Sequence, residues 1–234
     1  MDNYNIQPNN GMSISLDIST VMKRVYLKMF LALLVTAATA YGIALLVPQF
    51  IETLATNSWI YWGCAIAEII LVIAIGRAST KMKSSTATLL FYLFAILNGV
   101  TFSLILAVYT QASIFKTFLI TAGVFGAMSV YGYFTDRDLS KIGTYLYMAL
   151  FGLIICIIVN LFMKSSSFEW IISGIGVLIF IGITAWDTQK IKRMAEYAPI
   201  EEVNKIATIG ALSLYLDFIN LFIYLLRFFG ASRN

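Results

Sequence analysis

The chain contains no histidine, only two cysteines and three prolines, and its charged residues make up 12% of 234 positions. Without histidine there are no imidazole metal ligands, general bases or pH sensors. Cys64 and Cys156 stand singly in apolar stretches. No zinc or redox pair is therefore encoded, and both read as small buried hydrophobes. No glycine-rich phosphate loop or EF-hand spacing occurs. A soluble domain would spread its charge over amphipathic faces, and the scarcity of charge here excludes one. The net charge of +4 is then a matter of membrane topology, with no nucleic-acid partner.

What the chain has in quantity is apolar surface: 60% of its residues are hydrophobic and the mean hydropathy is +0.85. Its apolar runs are each long enough to cross the hydrocarbon core, which takes about 20 residues of helix. They are continuous rather than alternating, which excludes a transmembrane β-barrel. The fold class is all-α: a polytopic membrane protein with seven transmembrane helices, expected at 27–47, 59–76, 87–109, 114–134, 143–163, 170–186 and 207–229. Residues 1–20, polar and rich in asparagine, read as a poorly ordered cytoplasmic tail, and 21–234 as a single transmembrane domain. Pro48 closes the first span. Ala38-Thr39-Ala40 resembles a signal-peptidase site, but its run continues to full spanning length and is retained as a helix.

Lysine and arginine set the orientation. Twelve of the sixteen lie in the first turn and the second-to-third, fourth-to-fifth and sixth-to-seventh connections; Lys116, Lys164, Arg227 and Arg233 lie on the other side. The positive-inside rule places the amino terminus in the cytoplasm and, with seven spans, the carboxyl terminus outside. The rival is a six-span topology with a re-entrant last segment.

Two carboxylates break the apolar pattern. Asp187 ends the sixth span and Asp217 lies inside the last. A carboxylate at the centre of a membrane helix costs roughly 2.5–3.5 kcal/mol on insertion scales, so each should face protein or water. Gly210, Ser213, Asp217, Asn220, Tyr224 and Arg227 recur at helical spacing and line one face. Lipid cannot satisfy such a stripe, so the last helix should be central. In the sixth span Ser173, Gly176, Phe180, Thr184 and Asp187 share a face, and Gly174, Gly176 and Gly182 permit close helix approach. Counted from the same membrane face, Asp217 is about 15 Å deep, so a tilted or broken last helix is expected to join the two acids. Joined carboxylates cannot both ionise cheaply and share a proton; on losing it they repel and offer oxygens to a cation. Glu68 and Asn98 in the second and third spans read as interhelical hydrogen-bonding groups.

At these residues the chain resembles the Bax inhibitor-1 family, bacterial type. The carriers are residues 211–222 (ALSLYLDFINLF), their continuation through 225–230 (LLRFFG), and Asp187-Thr-Gln-Lys-Ile191 after the sixth span. The resemblance implies a seven-helix bundle with a central last helix, a gating dyad of Asp187 and Asp217, and a pH-sensitive calcium leak. Eukaryotic relatives are tied to cell-death suppression and calcium release, and some bacterial ones to a membrane quality-control protease. Glu68 also looks familiar for the family. Relatives carry arginines after the second span to pair with the dyad; here that stretch offers Arg77 and Lys81.

The expected function is a pH-sensitive, calcium-permeable leak channel in a bacterial plasma membrane. Asp187 and Asp217 form its gate and transient Ca²⁺ site, supported by Asn220, Ser213, Glu68 and Arg77. It has no cofactor, Ca²⁺ being the permeant ion, and its partners are the bilayer, Ca²⁺ and protons. The alternatives are a membrane regulator that docks a quality-control protease through 190–205, and an intramembrane aspartyl protease. Ala185-Trp-Asp187 and Tyr215-Leu-Asp217 lack the glycines of such proteases, so no enzyme is expected.

Overall fold

A computed structural model describes residues 18–81, 83–197 and 199–231. The expected tail lies outside the described residues up to position 17, and Ile18–Thr20 already belong to a helix. The order is α1 (Ile18–Leu46), α2 (Pro48–Thr56), α3 (Ser58–Lys81), α4 (Ser84–Val108), α5 (Gln111–Phe134), α6 (Ser140–Met163), α7 (Ser166–Glu196), a 3-10 turn (Ile200–Glu202) and α8 (Val203–Phe229). No strand occurs among the described residues. Seven of these helices, all but α2, are long and apolar enough to cross a membrane.

Local chemistry accounts for the boundaries. Pro48 closes α1 as expected, since the residue before a proline is driven out of the helical region and Val47 lies at φ −140°; it also opens α2, where its missing N–H is harmless and its fixed φ suits a first turn. α1 begins nine residues before the apolar run, because Lys23, Arg24 and Lys28 continue the helix out of the hydrophobic window. Lys28 Nζ donates to Thr88 Oγ1 at 2.9 Å and Thr208 Oγ1 at 2.6 Å, tying α1 to α4 and α8. Lys164 takes a left-handed conformation (φ 49°) at the end of α6, and Ser165 then caps α7 by accepting from Phe168 N at 3.3 Å. Two residues thus reverse the chain.

α8 is the most buried of the long helices, and α3 and α6 the least. It packs against α1, α4, α5 and α7, with α3 outside α4 and α6 outside α7. The last helix is therefore central, as its polar stripe requires. It is unbroken for 27 residues, roughly 40 Å, long enough to cross the bilayer. The glycines of α7 serve close approach: a Cβ at Gly176 would meet the Tyr224 ring at 2.7 Å, and one at Gly182 would meet Leu146 at 2.6 Å.

The tightest polar contact in the core lies on the face of α8 away from the stripe. Tyr215, fully buried, has the edges of Phe91 and Phe94 around it with centroids 5.7 and 5.6 Å away. Its hydroxyl lies 2.6 Å from Thr36 Oγ1 and donates to Asn98 Oδ1 at 3.1 Å. Thr36 Oγ1 also lies 2.9 Å from the Ala95 carbonyl it donates to. One phenol thus joins α1, α4 and α8. Tyr215→Phe keeps the ring packing, leaves Thr36 bonded to the Ala95 carbonyl and strands Asn98 Oδ1, an expected loss of about 1–3 kcal/mol. The check is a lower Tm for the detergent-solubilised variant; an unchanged Tm would show that the network contributes nothing.

Candidate functional site

The site lies where α7 and α8 run antiparallel. Ile191 packs against Gly210, and Tyr224 against Gly176. This register places Asp187 level with Ser213 and Leu214, so Asp217 is about one helical turn, ~5 Å, further along. Both helices are unbroken, and this register leaves the two acids within electrostatic reach of each other. The sequence expectation misplaced Asp187 at a helix end, whereas α7 runs on for nine residues to Glu196. The residues 190–196, expected in a connection, are helical because their charges extend α7 beyond the apolar window. The true connection is short, and the surface expected to dock a protease shrinks with it.

Both aspartates are buried, and each carboxyl lies within electrostatic reach of the other. Asp187 Oδ1 and Asp217 Oδ2 are buried without a hydrogen-bond partner. An unpartnered buried oxygen carries the full desolvation penalty of its group, about 1–3 kcal/mol or more. The two acids bring two such oxygens into the contact between α7 and α8. Among the described residues no cluster of three or more metal-ligating side chains occurs. Ca²⁺ takes six to eight oxygens, more than two carboxyls supply.

The neighbours differ from those expected. Arg77 and Lys81 lie on the last turn of α3, and their side chains fall outside the described residues. The described cation that acts on both acids is Lys190, one turn beyond Asp187 on the same helix. Its Nζ lies 4.8 Å from the centroid of the Trp186 ring. Tyr147 of α6 also feels both acids and packs edge-on against Trp186 at 5.1 Å. Sequence reading missed both residues. The three-residue step from Asp187 to Lys190 was a usable signal; Tyr147, on another helix, left none. Of the supporting residues, Asn220 donates to its own helix at Leu216 O, 2.8 Å away. Ser213 is half-buried at the level of Asp187. Gly210 and Tyr224 of the stripe are packing surfaces. Cys64 and Cys156 are free and only half-buried.

Glu68 belongs to a separate site. It accepts from Thr101 Oγ1 at 3.0 Å and Asn98 Nδ2 at 3.4 Å. It lines a cavity of about 420 Å³ that also contains Glu169 and Arg227. Through Asn98 it connects to Tyr215, so a chain of donors runs from α8 toward the Glu68 carboxyl.

α7 is stapled around Asp187. A Cβ on Gly132 of α5 would come far inside contact distance of the Ala185 carbonyl oxygen, and one on Gly143 of α6 would strike the Trp186 ring. Buried Gln189 accepts from Leu139 N at 2.9 Å and donates to Arg137 O at 2.8 Å. Lys192 Nζ donates to Tyr133 O at 3.0 Å, and Arg193 pairs with Asp138 at 2.8 Å. The Ser140 backbone N–H and hydroxyl, then Arg193, hold the exposed Asp138 carboxyl below the usual carboxylate range. That contribution is present above the ordinary carboxylate pKa and is lost as pH falls through the lowered one. The α5–α6 connection and Asp187 are thus fixed to the same stretch of α7. Gln189→Ala is expected to release the connection: amide exchange at Leu139 should rise about tenfold for a contact worth ~1.4 kcal/mol. Unchanged protection at Leu139 would show that Gln189 is not the clamp.

A sequence model of the family described as inhibitor of apoptosis-promoting Bax1 matches residues 18–234. The chain is 44% identical over 231 residues to the inner membrane protein YbhL of Escherichia coli K12, covering 97% of this chain and 96% of that protein. It is 46% identical over 216 residues to an uncharacterized protein of Borreliella burgdorferi, covering 91% and 92%. With a Rickettsia prowazekii protein, also uncharacterized, it shares 44% over 214 residues, covering 91% and 90%.

Proposed function

The chain belongs to the Bax inhibitor-1 family, and from that premise we propose that it is a proton-sensitive, calcium-permeable leak of a bacterial plasma membrane, gated by Asp187 and Asp217. The observation that carries this reading is the buried pair with unpartnered oxygens on two antiparallel helices. With one proton between them the carboxyls hold α7 against α8. With none, two negative charges repel in a medium of low dielectric, and the pair lowers its energy by parting or by admitting a cation. A divalent cation is favoured because it neutralises both charges, and oxygen-only surroundings suit Ca²⁺. Two ligands hold it weakly enough for release, as conduction requires. Glu68, lining its cavity between Asn98 and Arg227, offers a second carboxylate stop toward the other membrane face.

The E. coli relative's name places it in the inner membrane, which supports the plasma membrane here. The excess of lysine and arginine supports a cytoplasmic amino terminus. No catalysis is proposed: neither Asp187 nor Asp217 carries the flanking glycines of the intramembrane aspartyl proteases. A docked protease finds less support, because the short α7–α8 connection offers little loop surface.

Flux of Ca²⁺ into proteoliposomes is expected to rise with pH, by up to about tenfold per unit for a one-proton equilibrium. Asp217→Asn should flatten that response and Asp187→Asn should shift its midpoint. If both variants leak as the native chain does at every pH, the pair is not the gate.

A further inference from the structure

We propose that the recess between α1 and α5 binds one acyl chain of a bilayer phospholipid, laid directly against the central helix. α1 and α5 both pack on α8, and the strip of α8 between them is recessed. The recess measures about 260 Å³; its floor is Phe218, Ile219 and Phe222 of α8 with Ala40 of α1. Ala37 and Tyr41 of α1 form one rim, and Phe115 and Phe118 of α5 the other.

Chemistry, size and depth identify the occupant. Tyr41 apart, the polar side chain in the lining is Thr36, whose hydroxyl is engaged by Tyr215 and Ala95. A polar ligand would find nothing at the floor to bond. The recess runs from Leu33 to Tyr41 along α1, eight residues or ~12 Å, close to half of the ~30 Å hydrocarbon core. It occupies the C-terminal half of α1, the end of α4 and the start of α5, so it lies within one leaflet. A helix from a second copy, about 10–12 Å across, is several times too large to enter. A polymethylene chain fits, and the leaflet supplies it.

Hydrophobic transfer does not drive this binding, since lipid tails are as apolar as the lining. Dispersion contact with a fixed aromatic floor does. Phe102 stacks on Phe222 with centroids 6.2 Å apart, and Phe118 meets Phe218 edge-on at 5.5 Å, so the rings do not close over the recess. Phe218 directly follows Asp217, so a seated chain resists rotation of α8 toward the recess.

The test uses the full chain purified in mild detergent and native mass spectrometry, which reads lipid without flux and stands or falls apart from the leak. The native protein should retain a phospholipid mass. Ala37→Trp fills the recess and removes on the order of ten carbon contacts from the chain, so retention should fall about tenfold. Ile155→Trp on the exposed face of α6 should change nothing. Equal retention in all three, a free fatty acid in place of phospholipid, or a dimer without lipid would overturn the proposal. A second measurement needs no filled recess: tryptophan placed at Phe118 should stay quenched by acyl-brominated phospholipid after exchange into unlabelled lipid. Recovery as fast as at Ile155→Trp would overturn it equally.

Discussion

A carboxylate on α8 cannot face hydrocarbon, and the arrangement of the bundle follows from that constraint. Lipid offers no hydrogen bond and no dielectric relief, so the helix that carries Asp217 needs protein on every side. α1, α4, α5 and α7 supply it. Small residues where α7 meets its neighbours let backbones close to a distance at which dispersion contacts replace the lipid. Association inside a bilayer gains little from apolar burial itself; close packing at Gly132, Gly143, Gly176 and Gly210 holds the sheath.

The two faces of α8 are built on opposite electrostatic terms. On one, Tyr215, Thr36, Asn98 and Glu68 form a chain in which each donor finds an acceptor. A satisfied network in low dielectric is stiff, because breaking any link strands its neighbours. On the other, Asp187 and Asp217 keep buried oxygens without partners. Such a pair gains from a proton, a cation or water, and in the proposed gating it is on this face that α8 would part from α7.

The sequence made the long helices legible, because each apolar run exceeds the bilayer requirement, and it marked α8 as central, because a polar stripe in lipid has no other place. The acids were legible through their rarity. What failed did so for identifiable reasons. Hydropathy windows stop at charges, so α1 was begun too late and α7 ended too early, at Asp187. That error made a bent helix seem necessary. The register that joins the acids depends on which glycine receives which side chain, information that exists only between helices. Tyr215 was hidden because a tyrosine among leucines reads as apolar, and its importance lies in Thr36 and Asn98 on other helices. The polar stripe itself proved composite: Asp217 belongs to the site, while Tyr224 and Gly210 are there for packing.

Helix lengths carry the argument one step further. From Ser166 to Asp187, α7 rises about 32 Å, close to the ~30 Å hydrocarbon thickness. Asp187 therefore sits near the boundary on the lysine-rich side, and the remaining turns of α7 stand in the headgroup region, where Lys190, Lys192 and Arg193 belong. By register Asp217 is a turn deeper. The pair is thus a short step from one compartment and most of the bilayer away from the other, with the Tyr215 network alongside and the Glu68 cavity toward the far side. In the proposed leak the pair would therefore exchange its proton with the solution on the lysine-rich side, past Trp186 and Lys190, and the Glu68 cavity would face the opposite solution; such a pore would sense one compartment and admit ions from the other.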